Sequence, residues 1–267
     1  MRFVLCALAM LCATSAEAAP RRVVSLDYCA DQYVLALADR DQIAALSHGA
    51  TRDDSYFRDR AHGIRQVRAD LEDVLPLRPD LIVRNWGGPW DAARVYARFH
   101  VPVLQVGDVH DFPAARSDLL HAAHGLGREQ RGAALARDLD HRLARLAALR
   151  PSAPPPVLYV SSGGAVAGSG VMLNAVIEAA GGRNGWRGES WSVLPLESFV
   201  HTPPALVATG FLDSGRTRMN AWSPSRHPVF QRMIARTQRV DLKPGAISCE
   251  AWTSIDAAEQ IAAALHS

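Results

Sequence analysis

The chain has 267 residues with 29 basic and 27 acidic side chains, for a formal net charge of +2. So balanced a surface gives no electrostatic footing for nucleic acid or an anionic membrane, and neither is expected as a partner. With 48% apolar residues the chain can bury a sizeable core, and its length admits two lobes or one large domain.

Residues 1–18 read as a cleavable export signal. Arg2 is the short positive region, and the apolar stretch from Phe3 to Leu11 is too short to span a bilayer. Ala16-Glu17-Ala18 places small residues at −3 and −1, so cleavage is expected after Ala18; one position later would put Pro20 at +1. Leu11 before Cys12 is too large for a lipoprotein site, so the mature chain of about 249 residues is read as soluble. Cys6 and Cys12 leave with the signal, and Cys29 and Cys249 remain. An even pair in an oxidising compartment suggests a disulfide, the alternative being two buried thiols. Neither has a second Cys or His at zinc spacing, so no metal site is expected from them.

The mature chain alternates short apolar runs with amphipathic segments, the pattern of parallel-sheet α/β structure. Val23 to Leu26 is the first strand and Asp31 to Leu37 the helix after it; Ile43 to Leu46 is a second strand. A short helix over Leu71–Leu77 precedes the strand Leu81-Ile82-Val83, and a helix over Asp91–Phe99 precedes the strand Val101–Val106. From Arg128 to Leu149 there is no proline and one glycine, and Leu135, Leu139, Leu143 and Leu146 recur at helical spacing. Pro151 and Pro154 to Pro156 stop that helix, and the α/β rhythm restarts with the strand Val157–Val160. One long helix between two α/β halves reads as a rigid strut, about 33 Å at 1.5 Å per residue.

The halves echo each other. Leu71-Glu72-Asp73-Val74-Leu75 leads to Pro79-Asp80-Leu81-Ile82-Val83, and Leu196-Glu197-Ser198-Phe199-Val200 leads to Pro204-Ala205-Leu206-Val207-Ala208. Glu precedes Pro by the same seven residues in each, which points to an internal repeat.

The segment Arg22 to Gln32 resembles the opening of periplasmic proteins that bind ferric siderophores and vitamin B12. The Leu-Glu-x-Val-Leu-x-Leu-x-Pro-Asp-Leu-Ile-Val run from Leu71 is similar to their internal motif. The resemblance covers the mature chain, with Thr202-Pro203-Pro204-Ala205 departing from the usual Arg-Pro-Asp-like step. It implies an α/β fold of two Rossmann-like lobes joined by one long α-helix, with the ligand held between the lobes. The expected divisions are a signal at 1–18, an N-terminal lobe at 19–127, the connecting helix at 128–150 and a C-terminal lobe at 151–267. The implied activity is capture of a metal chelate, a ferric siderophore or corrinoid, for delivery to an ABC importer. No cofactor of its own is implied, and the expected partners of a monomeric chain are the chelate and a permease dimer.

Ligands of open α/β sheets sit beyond the carboxyl ends of the strands. The residues expected there are Tyr28, Trp86 and Trp90 in the first half and Trp191, Arg216 and Trp252 in the second. Aromatic faces suit a large, partly apolar chelate and an arginine holds an anionic one. Two indoles on the Gly-Pro turn Trp86–Trp90 are the sharpest local signal, against the plain reading that one of them is core. Trp252 can equally pack its lobe, and Arg216 can be a solvated loop residue. His121 and His124 stand at i, i+3 without a third ligand, which reads as helix surface. Glu72 and Glu197 suit helix starts, where the dipole favours acids; the resemblance assigns them to permease docking.

The rival class is an exported α/β enzyme or a metal-cluster oxidoreductase of the same fold. No Gly-x-Ser-x-Gly elbow occurs, since Gly168-Ser169-Gly170 is shifted from that pattern, and two cysteines are too few for a cluster. Nor is there a Walker or dinucleotide fingerprint, so any ATPase must be another chain. An interaction module without a small ligand is the third class.

Overall fold

Parallel strands rich in Val, Ile and Leu need both faces covered, and the chain meets that need twice. The computed structural model describes residues 19–194, 203–211 and 227–267, apart from the side chain of Met233. The expected signal at 1–18, Glu197, Arg216 and the first part of the second-half echo lie outside the described residues.

The first lobe is built on a sheet in the order β3-β2-β1-β4-β5, all parallel: β1 Val23–Ser25, β2 Ile43–Ser47, β3 Gln66–Val67, β4 Leu81–Arg84 and β5 Val103–Gln105. Successive side chains on a strand face opposite ways, so each strand feeds two cores. Val23, Leu81 and Val83 face α1 (Tyr28–Leu37) and α4 (Phe112–Gly125), while Val24 and Ile82 face α2 (Leu71–Val74) and α3 (Ala92–Ala97). From Cys29 to Leu37 every residue of α1 is buried, so this helix lies in the middle of the molecule rather than on it. The first helix begins three residues earlier than the sequence pattern indicates because Asp27 caps it, accepting the Ala30 N–H at 2.8 Å.

The long helix is α5, Glu129–Ala148, within the expected 128–150 and standing in chain order between the first sheet and the second. Its one glycine has a packing reason: a Cβ at Gly132 would lie 2.2 Å from Ala123 Cβ on α4, so the two helices approach at that point. Of its expected apolar stripe, Leu139 and Leu146 are buried and Leu135 and Leu143 half-buried.

The second lobe has the sheet β11-β10-β6-β7-β9, with β8 also on β6: β6 Pro156–Ser161, β7 Ala165–Ala167, β8 Arg183–Asn184, β9 Trp191–Val193, β10 Leu206–Gly210 and β11 Gln238–Asp241. Here β7 and β9 run antiparallel to their neighbours. Helices α6 (Met172–Ala179) and α9 (Ile255–Leu265) cover one face, and α7 (Pro228–Arg236) brings Phe230 to the other; α8 is the single turn Pro244–Ile247. The echo in sequence has a topological counterpart. β4 pairs in parallel with β1, and β10 pairs in parallel with β6, the first strand of its own lobe.

A single apolar cluster runs from Val23 and Tyr33 through Leu139 on α5 to Val176 and Ile261, so the two lobes share one core. Arg142 of α5 reinforces the seam. It donates to Glu259 (2.9 and 2.6 Å) and to Asp256 (2.5 Å) on α9, and Asp256 accepts the Tyr56 hydroxyl of the first lobe at 2.7 Å. None of the described helices is long and apolar enough to cross a membrane.

Candidate functional site

In each sheet the chain builds outward on one side of its first strand and then returns to the other. In the first lobe it runs β1, β2, β3 and then places β4 and β5 across from them, so β1 and β4 flank the point where the order reverses. Loops leaving two such strands diverge and leave a crevice, the usual binding place in an open α/β sheet.

Three side chains meet there, from the start of α1, the loop after β4 and the loop after β2. Tyr28, directly after β1, is half-buried, and Trp86, after β4, packs edge-on against it with ring centroids 5.8 Å apart at 71°. From the loop after β2, the Arg52 guanidinium lies 4.5 Å from the centre of the Tyr28 ring. Asp54 holds that guanidinium with two bonds, 3.0 and 2.9 Å. Burial first, and the Asp54 charge second, raise the Tyr28 hydroxyl above its ordinary pKa, with Arg52 opposing.

The Trp86 loop is held from beneath. Asp27, itself 1% exposed, accepts the backbone N–H groups of Asn85, Trp86 and Gly87 on one carboxylate oxygen, at 2.8, 3.1 and 2.9 Å. Only glycine fits at 87, since a Cβ would stand 2.4 Å from the Leu26 carbonyl oxygen. Trp86 is left 57% exposed and Trp90 92% exposed. Both expected indoles of this turn are therefore open to solvent, and the reading that one of them is core does not apply.

The second lobe carries a matching pair. Trp191, at the start of β9, is 47% exposed and packs edge-on against Tyr159 of β6, centroids 5.9 Å apart at 73°. Burial raises the Tyr159 hydroxyl well above its ordinary pKa, so it stays neutral. Each lobe thus presents a partly exposed indole whose edge contact is a tyrosine on, or just after, the lobe's first strand.

Cys29 and Cys249 form a disulfide with Cα atoms 5.5 Å apart. It joins the first turn of α1 to the segment after α8, and both residues are nearly inaccessible. Next to it the Ser248 hydroxyl donates to the Asp54 carbonyl at 2.5 Å.

Trp252 corrects an expectation. It is 6% exposed and packs edge-on against Tyr33 of α1, centroids 4.8 Å apart, inside the shared core. The physical reason is the apolar surface of the indole, which the shared core takes up; Cys29 and Tyr33 are i, i+4 on one face of α1, so the disulfide and the Tyr33–Trp252 contact lie side by side there. Burial there withdraws it from the strand-end surface where a ligand was expected. Glu72 is exposed in the first turn of α2, and His124 lies 3.1 Å from Glu129.

Two contributors escaped the sequence reading. Arg52 sits in a polar loop, Thr51 to Asp54, with no local signature of a ring partner. Tyr159 lies inside the strand Val157–Val160, where a tyrosine reads as core, and only its contact with Trp191 gives it a place here.

A family model described as periplasmic binding protein matches residues 23–231. A cobalamin-binding protein of Halobacterium salinarum is 29% identical over 214 residues, or 74% of this chain. The chain spans little more than half, 56%, of that relative's length. Among solved structures, a periplasmic heme-binding protein from Pseudomonas aeruginosa superposes with a TM-score of 0.68 at 22% identity, covering 93% of this chain and 94% of that one. The periplasmic vitamin B12 binding protein of Vibrio cholerae gives 0.70 at 18% identity, covering 92% and 97%. An ABC-type Fe3+-hydroxamate transport protein from Saccharomonospora viridis gives 0.67 at 16% identity, covering 93% and 94%. At these identities the solved structures share the fold.

Proposed function

For a chain that belongs to the periplasmic binding protein family, we propose the capture of a metal chelate between the two lobes and its delivery to an ABC importer. The chain would be exported by the signal at 1–18, with lobes at 19–127 and 151–267 joined by the helix at 128–150. It works as a monomer without a cofactor of its own and meets a permease dimer through Glu72 and Glu197. The observation that carries this reading is the pair of tyrosine-backed indoles, Trp86 on Tyr28 just after β4 and Trp191 on Tyr159 at the start of β9, each about half exposed. Large exposed aromatic faces are costly to leave in water and suited to a bulky, partly apolar cargo. The cargo class agrees with the relatives, which carry the names of cobalamin, heme and Fe3+-hydroxamate proteins.

Titration of the tryptophan emission with cyanocobalamin, haemin, and ferric hydroxamate and catecholate siderophores tests the proposal. One of these should quench saturably. Replacing Trp86 and Trp90 together by Ala should weaken that binding by at least tenfold, in keeping with about 1–3 kcal/mol for a lost aromatic stack, with little change in melting temperature. A wild-type protein that none of the chelates quenches would remove the reading.

A further inference from the structure

We infer that Asp27 is a positioning residue for ligand capture, acting through the Trp86 loop; the inference rests on the chelate-binding reading of that loop. Its carboxylate is 1% exposed and divides its two oxygens between two tasks. Oδ1 accepts the Ala30 N–H at 2.8 Å and caps α1, the helix whose first residues are Tyr28 and Cys29. Oδ2 accepts three consecutive N–H groups, from Asn85, Trp86 and Gly87, between 2.8 and 3.1 Å.

Three successive donors turned towards one oxygen cannot be satisfied by their own sheet, because β4 ends at Arg84 and the chain leaves it there. A neutral acceptor would hold them more weakly, as hydrogen bonds to an ionised acceptor are roughly twice as strong. The bonds cross 58 to 60 positions of sequence, so they tie the loop after β4 to the end of β1 on the two sides of the reversal point. Gly87 permits the approach by having no Cβ between this backbone and the Leu26 carbonyl. The outcome is that Tyr28, at the start of α1, and Trp86, in the loop after β4, are fixed relative to a single buried carboxylate. A rigid base lets a half-exposed indole meet a ligand without first losing conformational freedom, which is how preorganisation raises affinity.

The two tasks can be separated. Asp27→Ser keeps a side-chain oxygen able to cap α1, but too short to reach the loop; Asp27→Asn can present an oxygen to only one of the two sides at a time. Hydrogen exchange on the free protein gives a readout that needs no ligand. In Asp27→Ser the amides of Asn85, Trp86 and Gly87 should lose at least tenfold in protection while the α1 amides keep theirs. Binding is then read with whichever of cyanocobalamin, haemin or ferric siderophore saturates the wild type. Asp27→Ser should weaken it about tenfold, and should change it less than twofold in a Trp86→Ala background, since the residue acts through that indole.

The inference is overturned if the three amides stay protected, or if Asp27→Ser weakens binding as much without Trp86 as with it. Unchanged affinity in Asp27→Ser overturns it as well. Should no chelate bind the wild type, the functional reading fails, and loss of amide protection alone would still establish Asp27 as the anchor of this loop. Should Asp27→Ser fail to fold, Asp27→Thr, whose hydroxyl can likewise cap α1 and is equally short, carries the same comparisons.

Discussion

Cys29 and Cys249 stand 220 positions apart in sequence, yet their Cα atoms are 5.5 Å apart and their sulfurs are bonded. That bond is the covalent member of a seam that also holds Tyr33 on Trp252 and Ser248 on Asp54. Closing so long a loop removes roughly 5 kcal/mol of unfolded-state freedom in the chain-entropy model. The wild type should therefore be sensitive to reductant, and the double variant Cys29→Ser/Cys249→Ser should unfold at a clearly lower denaturant concentration, by a few kcal/mol, and lack that sensitivity. Denaturation with and without a phosphine reductant measures both. A wild-type midpoint indifferent to reductant would mean the bond contributes nothing to stability.

Arg142 sits where α5, α9 and the first lobe meet. With its side chain 18% exposed, it pairs with Asp256 (26%) and Glu259 (37%), and Asp256 also binds the Tyr56 hydroxyl. Deleting the guanidinium leaves two partly buried carboxylates with only the more exposed Arg145, 3.6 Å from Glu259, as a counter-charge, which is where the cost arises. Arg142→Met should destabilise by about 2 kcal/mol, and Asp256→Asn/Glu259→Gln in that background should recover part of it. Chemical denaturation of the three proteins measures both effects. A single variant as stable as the wild type would show that the network is solvated and idle.

Asp31 gives a pH signature. Buried on α1, it accepts the Ser47 N–H at 3.0 Å and the Ser47 hydroxyl at 2.6 Å, but burial outweighs these bonds and pushes its carboxyl up to about 6. An unfolded aspartate titrates near 4, so between about pH 4 and 6 the folded state binds more proton than the unfolded one. Stability from this residue must then fall as pH rises through that window and be level above it, with a total of about 3 kcal/mol at most. Asp31→Asn can keep both contacts, donating to the Ser47 hydroxyl instead of accepting from it, and carries no charge to bury. Unfolding free energies of the two proteins at pH 4, 5, 6 and 7 should diverge steadily in favour of Asn. Parallel curves would place the carboxyl near its ordinary range.

Glu72 is exposed at the start of α2, and the docking proposal pairs it with Glu197. Rim charges act chiefly on encounter and register, and their effects fade with salt. Reversing both to Arg should leave chelate affinity and melting temperature nearly unchanged and abolish capture of the transporter in detergent or nanodiscs. Normal transport by the double reversal would return both residues to plain helix-start acids.

Much of this architecture could be read from local pattern. The apolar runs at Val23, Ile43, Leu81, Val101 and Val157 each become a strand, because a strand covered on both faces must be apolar throughout. The proline-free stretch from Arg128 becomes α5, and the repeated Glu-to-Pro spacing foreshadows two strands that pair alike, β4 on β1 and β10 on β6. Some elements left no such trace. β3 has two residues and β9 three, too few to show a period, and both exist because a neighbouring strand supplies their hydrogen bonds.

The site divides along the same line. Composition and spacing alone determined an α/β chain in two halves, two paired cysteines as candidates for one bond, and a turn, Trp86 to Trp90, rich in indole and glycine. These are local properties, set by side-chain type and by what a backbone can do within a few residues. Which aromatic faces solvent was decided only in three dimensions. Trp252 lies inward on Tyr33, beside a disulfide that joins segments 220 positions apart, and Trp86 stays outward on a backbone held by a carboxylate 59 positions away. Both outcomes depend on contacts between segments distant in sequence, one across the two lobes and the other between the ends of β1 and β4 within a single sheet.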